Sequence, residues 1–181
     1  MMDDMVRAAM AKWPHVPDCC GWLGLDVNGQ WCLRDLEAQA LGRFASETRG
    51  ARGDAILHEA LCAFIGRNYG ADPQGRWFFQ NGPQRVFVEL VLAPWVLRLQ
   101  PDGQVWTHTG VVVSAQTCLV DEQGWAYLAT PLGLGLVHTR DVETLARWLD
   151  AGRWSVEDCV RQELPDRFGF VLSPQAEKKP A

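Results

Sequence analysis

Apolar positions recur at helical spacing in some parts of the chain and alternate in others. Ile56, Leu57, Ala60, Leu61, Phe64 and Ile65 trace one face of a helix. Asp54 stands where an N-cap belongs, and the pattern stops near 68–70. A second helix carries Val142, Leu145, Trp148 and Leu149 behind a capping Asp141, with Gly152 as its stop. Ser155-Val156-Glu157-Asp158 has the form of a capping box with Asp in place of Glu, and predicts a third helix. A short amphipathic helix is predicted over 3–13. The stretch GWLGLDVNGQWCLRD predicts two short strands around a turn, and alternation predicts strands over 76–80, 85–92, 95–99, 104–108, 111–113, 117–120, 125–130 and 134–139. Residues 35–53 carry two signals. Leu36, Ala40 and Phe44 share a helical face, yet Gly42, Gly50 and Gly53 interrupt it.

The turns have a common grammar. Asp26-Val27-Asn28-Gly29 precedes Trp31, Asp72-Pro73-Gln74-Gly75 precedes Trp77, Asp121-Glu122-Gln123-Gly124 precedes Trp125, and Asp102-Gly103 precedes Trp106. Asp at the first position accepts hydrogen bonds from its own turn, and Gly at the fourth takes the positive φ that follows. Residues 72–90 also align without gaps on 121–139. Asp72, Gln74 and Gly75 meet Asp121, Gln123 and Gly124, and the break Asn81-Gly82-Pro83-Gln84 meets Thr130-Pro131-Leu132-Gly133. Asn81-Gly82 is a hairpin signal, and Pro83 cannot donate within a ladder. These patterns predict an α+β protein of two small antiparallel sheets, built from a repeated strand–turn–strand unit and each packed with helices. The expected domains are 1–99 and 100–172, followed by a disordered tail over 173–181.

Composition narrows the classes of function. Of 181 residues, 48% are hydrophobic and 22% charged, and the net charge is −5. Lys178-Lys179 is the one lysine pair, so the basic stripe of a nucleic-acid binder is missing. The start, MMDDMVRAAMAKW, is acidic where an export leader is basic, and no apolar run approaches the roughly 18 residues of a membrane span. A soluble cytoplasmic protein is expected. Six cysteines without a C-x-x-C pair then read as reduced thiols.

Candidate chemistry is sparse. His15, Cys19 and Cys20 in HVPDCC have zinc-like spacing but lack a fourth ligand, and buried structural thiols explain them better. His58-Glu59 opens the clearest helix, but Cys62 and Ala63 stand where a metalloprotease needs its second histidine. His58 is expected on the surface or as a cap. His108 and His138 fall at strand ends, where either could serve as a base. PLGLGLVHT lacks a phosphate-loop lysine. The best candidate for a polar pocket rimmed by aromatics combines Arg67, Asn68, Asn81, Gln84, Arg85 and Glu89 with Trp31 and Trp95. The alternative reading of the same residues is core and its hydrogen bonds.

Cys20-Gly21, the Gly29-Gln30-Trp31 turn, the helix over 57–65 and the stretch GRWFFQNGPQRVFVELVLAPWV resemble an uncharacterised proteobacterial family of small cytoplasmic α+β proteins. TCLVDEQGWAYLATPLGLGLVHTRDVETLARWL resembles the second half of that pattern, so the likeness covers residues 18–150. The resemblance implies two similar α+β domains with a ligand site in the cleft between them, and a regulatory or signalling role. The chain departs from it by a segment after residue 150 and by Asn81-Gly82-Pro83-Gln84 at the break.

These readings lead to a non-enzymatic regulator that binds a small acidic ligand or a protein partner. Arg85 would pair with the acid, and Trp31 or Trp95 would stack on the ligand. No catalytic residue, metal or cofactor is assigned, and neither nucleic acid nor membrane is expected as a partner. Two alternatives stay open: a small hydrolase or isomerase using His108 or His138, and a homodimer with a tryptophan-rich interface.

Overall fold

Each Asp–Gly turn closes one strand onto the next, and the strands gather into two sheets. The computed structural model describes residues 2–177 of the chain. The chain divides into two units, one formed by residues up to 26, 30–91 and from 170 onward, the other by 27–29 and 92–169.

The first unit begins with helix α1 (Asp4–Lys12), followed by strands β1 (Cys19–Leu25) and β2 (Trp31–Leu33). Helix α2 (Leu36–Ala40), strand β3 (Asp54–Ala55) and helix α3 (Glu59–Arg67) come next. Strands β4 (Tyr69–Ala71), β5 (Trp77–Asn81) and β6 (Gln84–Leu90) complete its 6-stranded sheet, in the order β3-β2-β1-β6-β5-β4. Leu23, Leu25, Ile65, Phe79, Phe87, Val88 and Leu90 fill its core. Phe44 is buried over β1, where a Cβ on Gly24 would run into its ring. That contact explains the mixed signal of 35–53: Phe44 answers to the sheet and not to a helix period.

The second unit contains β7 (Trp95–Leu99), β8 (Val105–Thr107), β9 (Val112–Val113), β10 (Thr117–Asp121), β11 (Ala126–Thr130) and β12 (Gly133–Val137). Helix α4 (Val142–Asp150), strand β13 (Val156–Cys159) and helix α5 (Leu164–Phe168) follow. Its 7-stranded sheet runs β13-β10-β11-β12-β7-β8-β9. Read from β9, this is the strand order of the first sheet with β13 added. The meanders also agree in register: Phe78↔Phe87 and Gly70↔Phe78 in one correspond to Tyr127↔Leu136 and Leu119↔Tyr127 in the other.

The fold is α+β with two sheets, and both sheets are mixed. Sequence neighbours pair antiparallel, as the turns require. In addition β1 runs parallel to β6, β7 to β12 and β10 to β13. Parallel partners need long crossovers, and here helices and other strands occupy the intervening chain.

Several local expectations give way to pairing. Asp54 lies in β3, against Leu33, and His58 caps α3 instead by accepting from Leu61 N–H at 3.3 Å. The 155–158 box forms β13, because the parallel ladder to β10 satisfies its backbone. Asp141 occupies the N-cap position of α4, but its carboxylate faces Arg98 and Leu99 N–H. Strand β7 pairs with β8 and β12, so the second unit begins before residue 99.

Within the stretch expected to be a disordered tail, residues 178–181 lie outside the described residues. The part before them is built in: Pro174–Glu177 form helix α6, which packs on β6 and β1 of the first unit. Leu90 N–H donates to Leu172 O at 2.8 Å, and Phe170 is buried. Fully buried Arg34 donates from Nη1 to Gln175 Oε1 at 3.2 Å, and from its other nitrogens to Ala51 O and Gly42 O. Glu89 accepts from Gln175 N–H at 2.9 Å. This network straps residues 170–177 to the first sheet.

Candidate functional site

The hairpin β5–β6 builds one side of a pocket. Its two-residue loop is Gly82-Pro83, and Asn81 is still paired with Gln84 at the end of the ladder. Gly82 has a φ of 56°, and glycine at the first central position is what a type II′ turn demands. Pro83 then has no N–H to leave unpaired. One pair further down, Gln80 stands opposite Arg85. The other wall comes from α1 and the segment after it: Met10, Trp13, Pro14, Val16 and Asp18. Together with Gln80, Pro83 and Arg85 they enclose a pocket of about 380 Å3.

Three features give the pocket chemistry. Gln80 is 1% exposed, and its Nε2 donates to Gly82 O at 2.9 Å. That bond fixes the amide, because a flipped amide would set oxygen against a carbonyl. Among the described residues no donor reaches the buried Gln80 Oε1. The Arg85 guanidinium lies over the Phe78 ring, 5.2 Å from its centroid, and among the described residues no carboxylate pairs with it. Trp13 remains half exposed, with Lys12 Nζ 4.5 Å from the centre of its ring.

The expected site residues divide between framing and core. Gln84 Nε2 donates to Pro17 O at 3.1 Å and so pins the 14–18 segment to the hairpin. Asn68 accepts from Asp3 N–H and donates to Phe64 O, and Arg67 pairs with Asp3 at 3.4 Å. Both residues therefore hold the start of α1, whose far end walls the pocket. Asn81 is exposed. Trp31 is buried, edge-on to Tyr69 with centroids 5.1 Å apart. Trp95 lies in the second unit, buried, with Nε1 donating to Leu132 O at 2.9 Å. Glu89 belongs to the Arg34 and Gln175 network, where burial raises its pKa against the opposing bonds from Ser173 and Gln175 and the charge of Arg34. Of the eight, Arg85 lines the pocket and Gln84 braces its wall. Gln80, Trp13 and Asp18 were missed; the one signal in the sequence was a glutamine ending the apolar run WFF.

The histidines serve the backbone. His108 Nδ1 accepts from Val96 N–H at 3.2 Å, and burial lowers its pKa to about 3, so it is neutral at physiological pH. His138 Nδ1 accepts from Arg140 N–H at 3.1 Å. All six cysteines are free thiols. Among the described residues no three His, Cys, Asp or Glu side chains gather as a metal site, His15, Cys19 and Cys20 included. No described helix is long and apolar enough to cross a membrane.

Comparison with known proteins adds three findings. Residues 2–175 match the family described as "Protein of unknown function (DUF2946)". No curated protein matches the chain. Among solved structures, a DUF1285 family protein from Silicibacter pomeroyi DSS-3 is similar at 14% identity and a TM-score of 0.48, over 80% of this chain and 84% of that one.

Proposed function

The chain belongs to that family of proteins of unknown function, and from this premise we propose that it is a non-enzymatic regulatory protein that binds a small acidic ligand in the pocket between α1 and the β5–β6 hairpin. Arg85 takes the acid group of the ligand. The observation that carries the reading is a guanidinium held over an aromatic ring which, among the described residues, has no carboxylate partner. An arginine in that position presents its donor fork to a planar acid. Trp13 supplies an aromatic wall, and Gln84 and Asn68 hold the two sides of the pocket in place.

We read the two meanders, which agree in register and strand order, as copies of one unit. The Arg85 position is occupied by Leu134 in the second copy, so the acid site belongs to the first alone. Six thiols without a disulfide suit a reducing compartment, which supports a cytoplasmic setting. A hydrolytic role for His108 or His138 has less support, since each Nδ1 is already an acceptor for backbone N–H.

The test is native mass spectrometry of wild-type and Arg85→Ala protein, purified gently from the same cells. The expected result is a small added mass on the wild type that is lost from the variant. A mass that Arg85→Ala retains undiminished overturns the site.

A further inference from the structure

The loop between α2 and β3 concentrates positive charge. Residues 41–53 carry Arg43, Arg49 and Arg52 against one acid, Glu47, in a chain whose net charge is −5. Among the described residues none of the three arginines pairs with a carboxylate. Arg49 is exposed and Arg52 half-buried, so both can meet a ligand. The loop is also firmly set. Fully buried Arg34 ties it at two points, donating from Nε to Ala51 O at 2.7 Å and from Nη2 to Gly42 O. Phe44 and Ala51 are buried beneath it. Ala51 N–H donates to Thr48 O at 3.1 Å and Gly53 N–H to Gly50 O at 3.0 Å, so two turns follow one another. Gly53 has a φ of 70°, and a Cβ there would strike Leu33 O. These turns enclose a pocket of about 320 Å3, lined by Thr48, Arg49 and Arg52, with Glu47 also in its lining.

Two arginines without partners in one small pocket fit an anion. Each guanidinium offers a fork of N–H donors, and the Thr48 hydroxyl adds one more. A carboxylate has two oxygens to receive them. A phosphoryl group has three and carries up to two charges, so it meets both arginines and the hydroxyl together. Because the loop is held before any ligand arrives, little ordering cost is left to binding. We propose that this pocket, which shares no lining residue with the one at Arg85, binds a phosphoryl group, as inorganic phosphate or as the phosphate ester of a small molecule. Arg49 and Arg52 pair with its oxygens, and Thr48 donates to it. Glu47 opposes it as a like charge and tempers the affinity.

Calorimetric titration of the full chain at about 0.15 M ionic strength tests this with inorganic phosphate, glycerol 3-phosphate and acetate. At least one of the two phosphates should bind at millimolar concentration, and acetate at least about tenfold more weakly. Arg49→Gln and Arg52→Gln should each weaken phosphate about tenfold, because each removes a charge-assisted pair, and Glu47→Gln should tighten it. Arg43→Gln removes the same charge from the same loop but outside the pocket lining, and should change the affinity by less than about threefold. Stronger binding of glycerol 3-phosphate than of phosphate assigns an ester; equal binding assigns the ion itself. If Arg43→Gln weakens phosphate as much as Arg49→Gln does, the attraction is diffuse and the site is wrong. If acetate matches phosphate, the phosphoryl assignment is wrong. Phosphate binding that survives both Arg49→Gln and Arg52→Gln, or that Arg85→Ala abolishes, lies elsewhere and overturns the proposal. So does the absence of binding by either phosphate at millimolar concentration.

Discussion

Glu89 and Arg34 show how much one residue's role depends on distant chain. Glu89 is 2% exposed, and desolvation raises its pKa despite hydrogen bonds from Ser173 and Gln175 and the nearby charge of Arg34. A carboxyl whose folded pKa lies above its ordinary 4.5 favours folding most at low pH, where both states are protonated, and loses that contribution as pH rises through the raised value. Asp72, Asp121 and Asp141 act in the opposite sense. Desolvation pushes each upward, but Arg76, Arg161 and Arg98 with nearby N–H groups outweigh it, so each stabilises above its ordinary 3.8 and loses this as pH falls. Glu89→Gln removes only the first effect. Urea unfolding between pH 4.5 and 7 should give a variant whose stability, relative to wild type, climbs with pH; a constant difference would refute the assignment. None of this was legible in the sequence. Arg34 carries no local signal of its role, and Glu89 is one of the residues expected in the pocket. Their partner Gln175 lies 141 residues from Arg34, beyond the reach of any local pattern.

At the scale of elements, what was legible is what closes over a few residues. Asp72 Oδ1 accepts from Gln74 and Arg76 N–H, and Asp121 Oδ1 accepts from Gln123 and Trp125 N–H, so both turns follow from their own four or five residues. The second oxygens differ. That of Asp72 binds Arg76, which is partly open to water, whereas that of Asp121 binds the buried Tyr127 hydroxyl and Arg161. Asp121→Ala should therefore cost about 3–5 kcal/mol, because it strands a buried hydroxyl and a partly buried cation, while Asp72→Ala should cost about 1–3 kcal/mol. Equal midpoint shifts in chemical denaturation would contradict this. The elements that were misread, β3 and β13, are short strands whose backbone is satisfied by a partner elsewhere. Local propensity at 155–158 favoured a helix, and the ladder to β10 outweighed it. The pocket was half legible for the same reason: Gln84 and Arg85 announce themselves beside a turn, but Gln80 acquires its meaning only from the α1 side.

At the scale of the molecule, the chain leaves the first unit at 91, completes the second, and returns at 170. The returning residues supply partners for Leu90 N–H, for Arg34 and for Glu89. Deleting everything from 170 should therefore loosen the first unit selectively. Hydrogen exchange should show faster amides in β1 and β6, with β10, β11 and β12 unchanged; equal loss in both sheets would count against the strap. The order of strands was the least legible level, because parallel pairs such as β1 with β6 join segments some sixty residues apart, by the register Leu23↔Val88. Turn grammar specifies hairpins and says nothing about which hairpin lies beside which.

The returning segment also inverts the usual order of birth. Domains generally fold as they emerge from the ribosome, the N-terminal one first. Here the nascent first sheet emerges without Phe170, Leu172 and Gln175, so Arg34 and Glu89 wait for their partners while the whole second unit is being translated. The unit that begins synthesis earliest is finished after the one that begins later.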